Sequence, residues 1–358
     1  MRTTAQVRWP KAGTRNLGHS RRAFVWLALA LAASLGISIV FAQEGLILVG
    51  SGSSVPAPLY AKWAEKFNQR QAGTQLRYLP IGASEGIKQI SHGSGDFGAG
   101  EVPLTAADRA EGNLVELPSV LIGVVPIYNL PGVHHELRFT GEVLAEIYLG
   151  EIKTWNSPAL VKLNPDAELP DHAIKVIYRP PGKGTNYVFS EFLSKTSAKF
   201  RTRIGISASP KWPVGEAAER SSDMADKVKG ITGAIGFVEQ QYAVKNSIPY
   251  ASVENASGKF VKATPESIAA ACRAAEAPSW DRFSASLSNA AGEKSFPITS
   301  FSWLYLRTAS PDAKHAAART ELLNWIYSDG QQIAENEGYS QLPQELLAKI
   351  KAKASTLK

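Results

Sequence analysis

The chain has 358 residues, enough for about two domains at roughly 150 residues each. It is 44% hydrophobic and 20% charged, which excludes a disordered or fibrous chain, and its one Cys excludes a disulfide framework or a Cys-based zinc site. The formal charge of +7 would point to nucleic acid if it were spread over the fold.

It is not spread. Residues 1–42 hold Arg2, Arg8, Lys11, Arg15, Arg21 and Arg22 and no acid. An apolar run from Ala23 to Ala42 follows, and Val40-Phe41-Ala42 places small residues three and one before a cut. This is the layout of a secretory signal peptide. Ser20-Arg21-Arg22-Ala23-Phe24-Val25 also fits a twin-arginine signal, so general secretion and twin-arginine export both stand. A retained membrane anchor is the competing reading of the same twenty residues. Without those six bases the chain has 33 basic and 32 acidic residues, a net charge of +1. The nucleic-acid reading loses its support.

Beyond residue 42, short apolar runs alternate with amphipathic stretches, the pattern of an α/β fold. Leu46-Ile47-Leu48-Val49 reads as a buried strand ending in the turn Gly50-Ser51-Gly52-Ser53-Ser54. Pro56 and Pro58 suit the first turn of a helix, and Leu59, Trp63 and Phe67 give it one apolar face. Leu76 to Ile81 is the next strand, running into Gly82-Ala83-Ser84-Glu85-Gly86 and a helix with Ile87 and Ile90. Lys175 to Arg179 is a third, followed by Pro180-Pro181-Gly182-Lys183-Gly184-Thr185 and a helix with Val188, Phe189, Phe192 and Leu193. Residues 258–290 read as helices, with Cys272 a buried structural thiol in an alanine-rich stretch. Ile298 to Leu306 reads as a strand. Ser310-Pro311-Asp312 reads as the cap and first turn of a helix that Gly330 stops, with Leu322, Trp325 and Ile326 on one face.

Three strands thus feed loops rich in Gly and Ser/Thr that open helices. A helix start carries unpaired N–H groups and partial positive charge, so it binds anions. Gly and Ser are also simply good turn and capping residues, so both readings stand at this point. Enzyme signals are weak. His134-His135-Glu136 are adjacent residues that rarely converge on one metal, and Gly182-Lys183-Gly184-Thr185 lacks P-loop spacing. No catalytic residue, metal or cofactor is expected.

Several runs resemble the periplasmic phosphate-binding proteins of the phosphate-specific ABC transporter. They are Gly50 through Trp63, Gly86 through Ile90, Asp96-Phe97-Gly98-Ala99 with Pro103-Leu104, Ile147 through Trp155, Gly233 through Glu239, and Phe296 through Ser300. The resemblance covers nearly all of the chain after the leader. It implies a two-lobed α/β periplasmic-binding-protein fold of type II-like kind, hinged around a cleft that traps one dehydrated phosphate. Lobe I would be 43–122 with 300–358, and lobe II 123–299. The implied partners are inorganic phosphate and the permease and ATPase subunits of an ABC importer. The protein would be a periplasmic monomer that binds no nucleic acid.

Carried over position by position, the resemblance assigns the ligand hydroxyl and amide to Ser54 and Val55, the arginine to Arg179, and the amide and hydroxyl of the third loop to Gly184 and Thr185. Four positions depart. A family serine is Ala83, with Ser84 beside it as a substitute donor. The acid that accepts the phosphate proton is Glu101 rather than Asp. A family serine is Lys183, and the acid bracing the arginine is replaced by Pro181. The site would be two charge units more positive than the family's. A charge pair at contact is worth roughly 4 kcal/mol at an effective dielectric near 20, so Lys183 could mask Glu101. That leaves another oxyanion, a phosphorylated compound or a non-transport phosphate sensor as alternatives.

Overall fold

The computed structural model describes residues 45–70, 73–275 and 283–357. The leader assigned to residues 1–42 lies outside the described residues. Among the described residues no helix is long and apolar enough to cross a membrane.

Eleven strands are described: β1 (Leu46–Gly52), β2 (Thr74–Pro80), β3 (Phe97–Gly100), β4 (Leu114–Tyr128), β5 (Arg138–Phe139), β6 (Lys175–Tyr178), β7 (Glu216–Ala217), β8 (Ala234–Glu239), β9 (Ser252–Glu254), β10 (Phe260–Val261) and β11 (Thr299–Arg307). Eight form one sheet in the order β2-β1-β3-β11-β4-β8-β6-β7, and β10-β9-β5 form a small second sheet. β1 pairs in parallel with β2 and β3, and β6 in parallel with β8 and β7. The antiparallel pair β11 and β4 joins these two parallel groups.

β4 belongs to both groups. Its first part, Leu114 to Gly123, pairs with β11, and Val124 to Tyr128 pairs with β8. Nearly all of its residues are buried, which is why it reads as a continuous apolar run rather than an alternating one. The β4–β11 register slips between Ser302 and Trp303, a bulge of the kind that re-aims a side chain.

The loops between parallel strands open helices as expected. α1 (Ala57–Arg70) buries Leu59, Tyr60, Trp63 and Phe67, each worth about 1.5–3 kcal/mol on leaving water. α2 (Ala83–Ser91), α3 (Gly184–Thr196) and α4 (Ser221–Gly230) follow β2, β6 and β7. Cys272 lies buried in α5 (Pro265–Ala274), and burial pushes its thiol up to about 12, so it is inert.

Three expectations change. Among the described residues of 258–290 there is one helix, α5, preceded by the short strand β10, and residues 283–290 are irregular. The cap of α6 (Ala313–Ile326) is Asp312 and not Ser310, because the Asp312 carboxylate accepts the His315 N–H at 2.9 Å. Gly330 does not stop that helix. It lies inside α7 (Asp329–Asn336), where its carbonyl accepts the Trp63 indole at 2.8 Å. A methyl there would stand 3.2 Å from the Trp325 carbonyl and 3.4 Å from the Trp63 indole nitrogen, a tight fit.

Candidate functional site

Ser53 follows β1, Glu101 follows β3, Arg179 follows β6 and Glu239 ends β8. All stand at carboxyl ends of strands, where open α/β sheets hold ligands. Glu101 is fully buried, at 0% exposure. Ser53 Oγ donates to its Oε2 at 2.7 Å, and Ser302 Oγ, aimed from beside the β11 bulge, donates to Oε1 at 3.0 Å. Burial pushes this carboxyl up to about 7, with the charge of Glu239 adding to the rise; the two serine bonds pull the other way.

Glu101 lies against the start of α3. A Cβ on Gly184 would stand 1.8 Å from Oε2, so only glycine lets the helix end meet the carboxylate. The cap position, Lys183, makes no side-chain bond to the helix, so the first-turn amides receive no side-chain acceptor from it. The next residue, Thr185, is 1% exposed, and its Oγ1 has no hydrogen-bond partner. Asn186 holds the preceding loop, its Nδ2 donating to the carbonyls of Arg179 at 3.0 Å and Pro180 at 2.8 Å. Gly184→Ala is expected to force apart Glu101 and α3 and weaken oxyanion binding about tenfold, the scale of overpacking by one methyl. Titration calorimetry of the variant checks this; unchanged affinity would show that the contact is not needed for binding.

Arg179 is 1% exposed. Its Nη1 donates to Ser221 Oγ at 3.2 Å and its Nη2 to the Glu219 carbonyl at 2.9 Å, while Nε has no partner. Ser221 Oγ in turn donates to Glu239, with 2.8 and 2.9 Å to its two oxygens. Burial lowers the pKa of Arg179, and the charges of Glu239, Glu219, Asp223 and Glu101 oppose that shift. A guanidinium stays charged in such a site.

The expected site residues fall as follows. Glu101 and Gly184 come together, with Thr185 next in the chain, and Arg179 stands within electrostatic reach of Glu101. Ser54 is half-buried, and the hydroxyl on Glu101 belongs to its neighbour Ser53. The Val55 N–H is also turned to Ser53, donating to Oγ at 3.1 Å. Ala83 is fully buried, and a Cβ on Gly100 would meet its methyl at 2.7 Å. Ser84 is exposed, with its N–H donating to the Gly182 carbonyl at 3.3 Å. Lys183 sends its ammonium to Glu219 Oε1 at 3.4 Å and so has its own acid. Glu219 is exposed, which makes this pair weak. The acid lost at Pro181 has its counterpart in Glu239, reached through Ser221. Ser53, Ser302, Ser221, Glu219 and Glu239 were not singled out from sequence. Ser53 shared a loop with Ser54 and Glu239 closed a recognised run, whereas Ser221 and Ser302 carry no local signal.

The arrangement combines unspent buried donors with one buried carboxyl acceptor, which suits a protonated oxyanion. A family model described as a PBP superfamily domain matches residues 18–330. The chain is 36% identical to the phosphate-binding protein PstS of Pasteurella multocida over 327 residues, 91% of this chain and 95% of that one. It is also 36% identical to the PstS of Haemophilus influenzae over 320 residues, 89% and 95% of the two chains. Among solved structures, it resembles an ABC-type phosphate transport receptor from Vibrio cholerae with a TM-score of 0.57 at 19% identity, covering 82% of this chain and 99% of that one.

Proposed function

The chain belongs to the PstS family of phosphate-binding proteins, and from that premise we propose that it captures inorganic phosphate in the cleft between its β3 and β6 ends for an ABC importer. Its fold is the two-lobed α/β fold of periplasmic binding proteins. The observation that carries the site is the pair of buried, unspent donors, Arg179 Nε and Thr185 Oγ1, on the β6 end and on the helix start that meets Glu101. These donors take phosphate oxygens, together with the α3 amides. Glu101 accepts the proton that hydrogen phosphate carries and sulfate lacks.

Ser54, Val55, Ala83, Ser84, Glu101, Arg179, Lys183, Gly184 and Thr185 form the wall of this reading, with Ser53 and Ser302 holding Glu101. The Val55 N–H donates to Ser53 Oγ, so an oxyanion that takes this amide competes with that hydroxyl. Lobe I is 43–122 with 300–358 and lobe II is 123–299, a division supported by the change of β4's partner between Gly123 and Val124. Closure of the lobes presents the loaded form to permease and ATPase subunits in the membrane. The layout of residues 1–42 supports export to the periplasm, by the general or the twin-arginine route, where the protein would act as a monomer.

The test is titration of the protein without its leader against phosphate, sulfate, arsenate and a phosphate monoester at pH 8. Micromolar or tighter binding of phosphate, with no heat from sulfate, is expected. Binding of the ester or of sulfate with none of phosphate would overturn the reading. A thermal scan gives the same answer independently, since a ligand at a hundred times its Kd adds about 2.7 kcal/mol to the folded state.

A further inference from the structure

We propose that Ser221 and Glu239 are positioning residues for Arg179: a hydroxyl–carboxylate chain that sets the guanidinium's orientation and leaves its Nε free for the ligand. The inference rests on the phosphate reading and adds two residues to it. A buried guanidinium has five N–H groups in a rigid fork, so anchoring two of its nitrogens fixes where the rest point. Ser221 Oγ accepts from Nη1 and the Glu219 carbonyl accepts from Nη2. That leaves Nε buried and unspent.

The counter-charge is equally placed. Glu239 is buried at the end of β8, with one hydroxyl proton from Ser221 shared between its oxygens. Ser221 has a single proton, and Glu239 takes it, so its lone pairs face Arg179 and the serine can only accept from the guanidinium. The direction of the chain is therefore fixed from Arg179 to Ser221 to Glu239. Glu219 contributes its carbonyl, while its carboxylate is exposed and lies by Lys183, so the buried carboxylate of the chain is that of Glu239.

A positioning role and a mere electrostatic presence predict opposite signs. Glu239→Gln removes a negative charge from beside an anion site. If Glu239 acted only through its field, the variant would bind phosphate more tightly. If it orients Arg179, the variant binds about tenfold or more weakly, the scale of one charge-assisted hydrogen bond. Ser221→Ala breaks the chain and leaves both charges in place, and it too should weaken binding about tenfold. Because the two act as one chain, the double variant should match the weaker single variant to within about twofold.

All variants are measured by calorimetry with inorganic phosphate on the full exported chain, with a thermal scan to verify folding. Tighter binding by Glu239→Gln, affinities within about twofold of the unchanged protein, or multiplying effects in the double variant would overturn the proposal. Should Glu239→Gln fail to fold, Ser221→Ala decides alone: about tenfold weaker binding supports it and unchanged binding overturns it. Unchanged protein that binds no phosphate would instead sink the phosphate reading itself, and the brace with it.

Discussion

Arg179→Met is expected to lower phosphate affinity by about a thousandfold, because it removes at least one charge-assisted bond to the ligand and the site's buried positive charge. The second effect is on the protein itself. Met fills much of the same volume but pairs with nothing, so Ser221 and the Glu219 carbonyl lose a donor and the buried Glu239, which keeps the Ser221 proton, loses its nearby positive charge. Breaking a buried charge arrangement from one side costs about 3–5 kcal/mol. Calorimetry and a thermal scan on the same sample separate the two. Affinity within tenfold of the unchanged protein would remove Arg179 from the ligand site. An unchanged melting temperature with lost binding would instead show that Glu239 is satisfied without it.

Glu101→Gln is expected to admit sulfate, and pH should do the same to the unchanged protein. The carboxyl is held up to about 7 by burial, so near neutral pH it passes between its two protonation states. A neutral carboxyl can donate to an unprotonated sulfate oxygen, whereas a carboxylate repels it. Sulfate should therefore bind below pH 7 and weaken about tenfold for each pH unit above it, as the competent fraction falls. Glu101→Gln carries an amide donor at every pH, so its sulfate binding should be flat across this range. Sulfate binding that ignores pH in the unchanged protein would retire Glu101 as the filter.

The same group makes a prediction for stability without ligand. Its folded value lies above the ordinary 4.5, so the folded state holds the extra proton between the two values. Stability from this group is then constant below about pH 4.5, falls as pH rises from there to about 7, and is constant above, a loss of about 3 kcal/mol in all. Denaturant unfolding at pH 5 and pH 8 should show this loss in the unchanged protein and lack it in Glu101→Gln. Equal differences in the two proteins would assign the trend to other groups.

What could be read from the sequence was what neighbours in the chain decide. The apolar run at Leu46–Val49, the apolar face of Leu59, Trp63 and Phe67, and the Gly-rich loops before α2 and α3 are local patterns, and each lies where it was expected. Arg179 and Thr185 bracket one loop, so their joint presence followed from the strand–loop–helix unit alone. Partner choice did not follow. Lys183 has Glu219 and not Glu101 as its acid, because that choice depends on where the segment after β7 returns. Ser302, which bonds Glu101, stands beside a slip in the β4–β11 register, which no period in the sequence records. By the family resemblance, Pro181 stands where an acid would brace Arg179. The brace comes instead from Glu239, on a strand whose place in the sheet is set by β4 and β6.

The position of β11 has a consequence for how the molecule is made. It lies between β3 and β4, so Leu114 must wait for Arg307 before its strand gains that neighbour. Until the last fifth of the chain exists, β3 and the first half of β4 are bare edges, ready to pair with other chains. Contacts this distant in sequence are slow to form. The price of one continuous strand joining two groups of strands is therefore a late keystone: Thr299–Arg307 arrives near the end of synthesis and completes both Glu101's hydrogen bonds and the centre of the sheet.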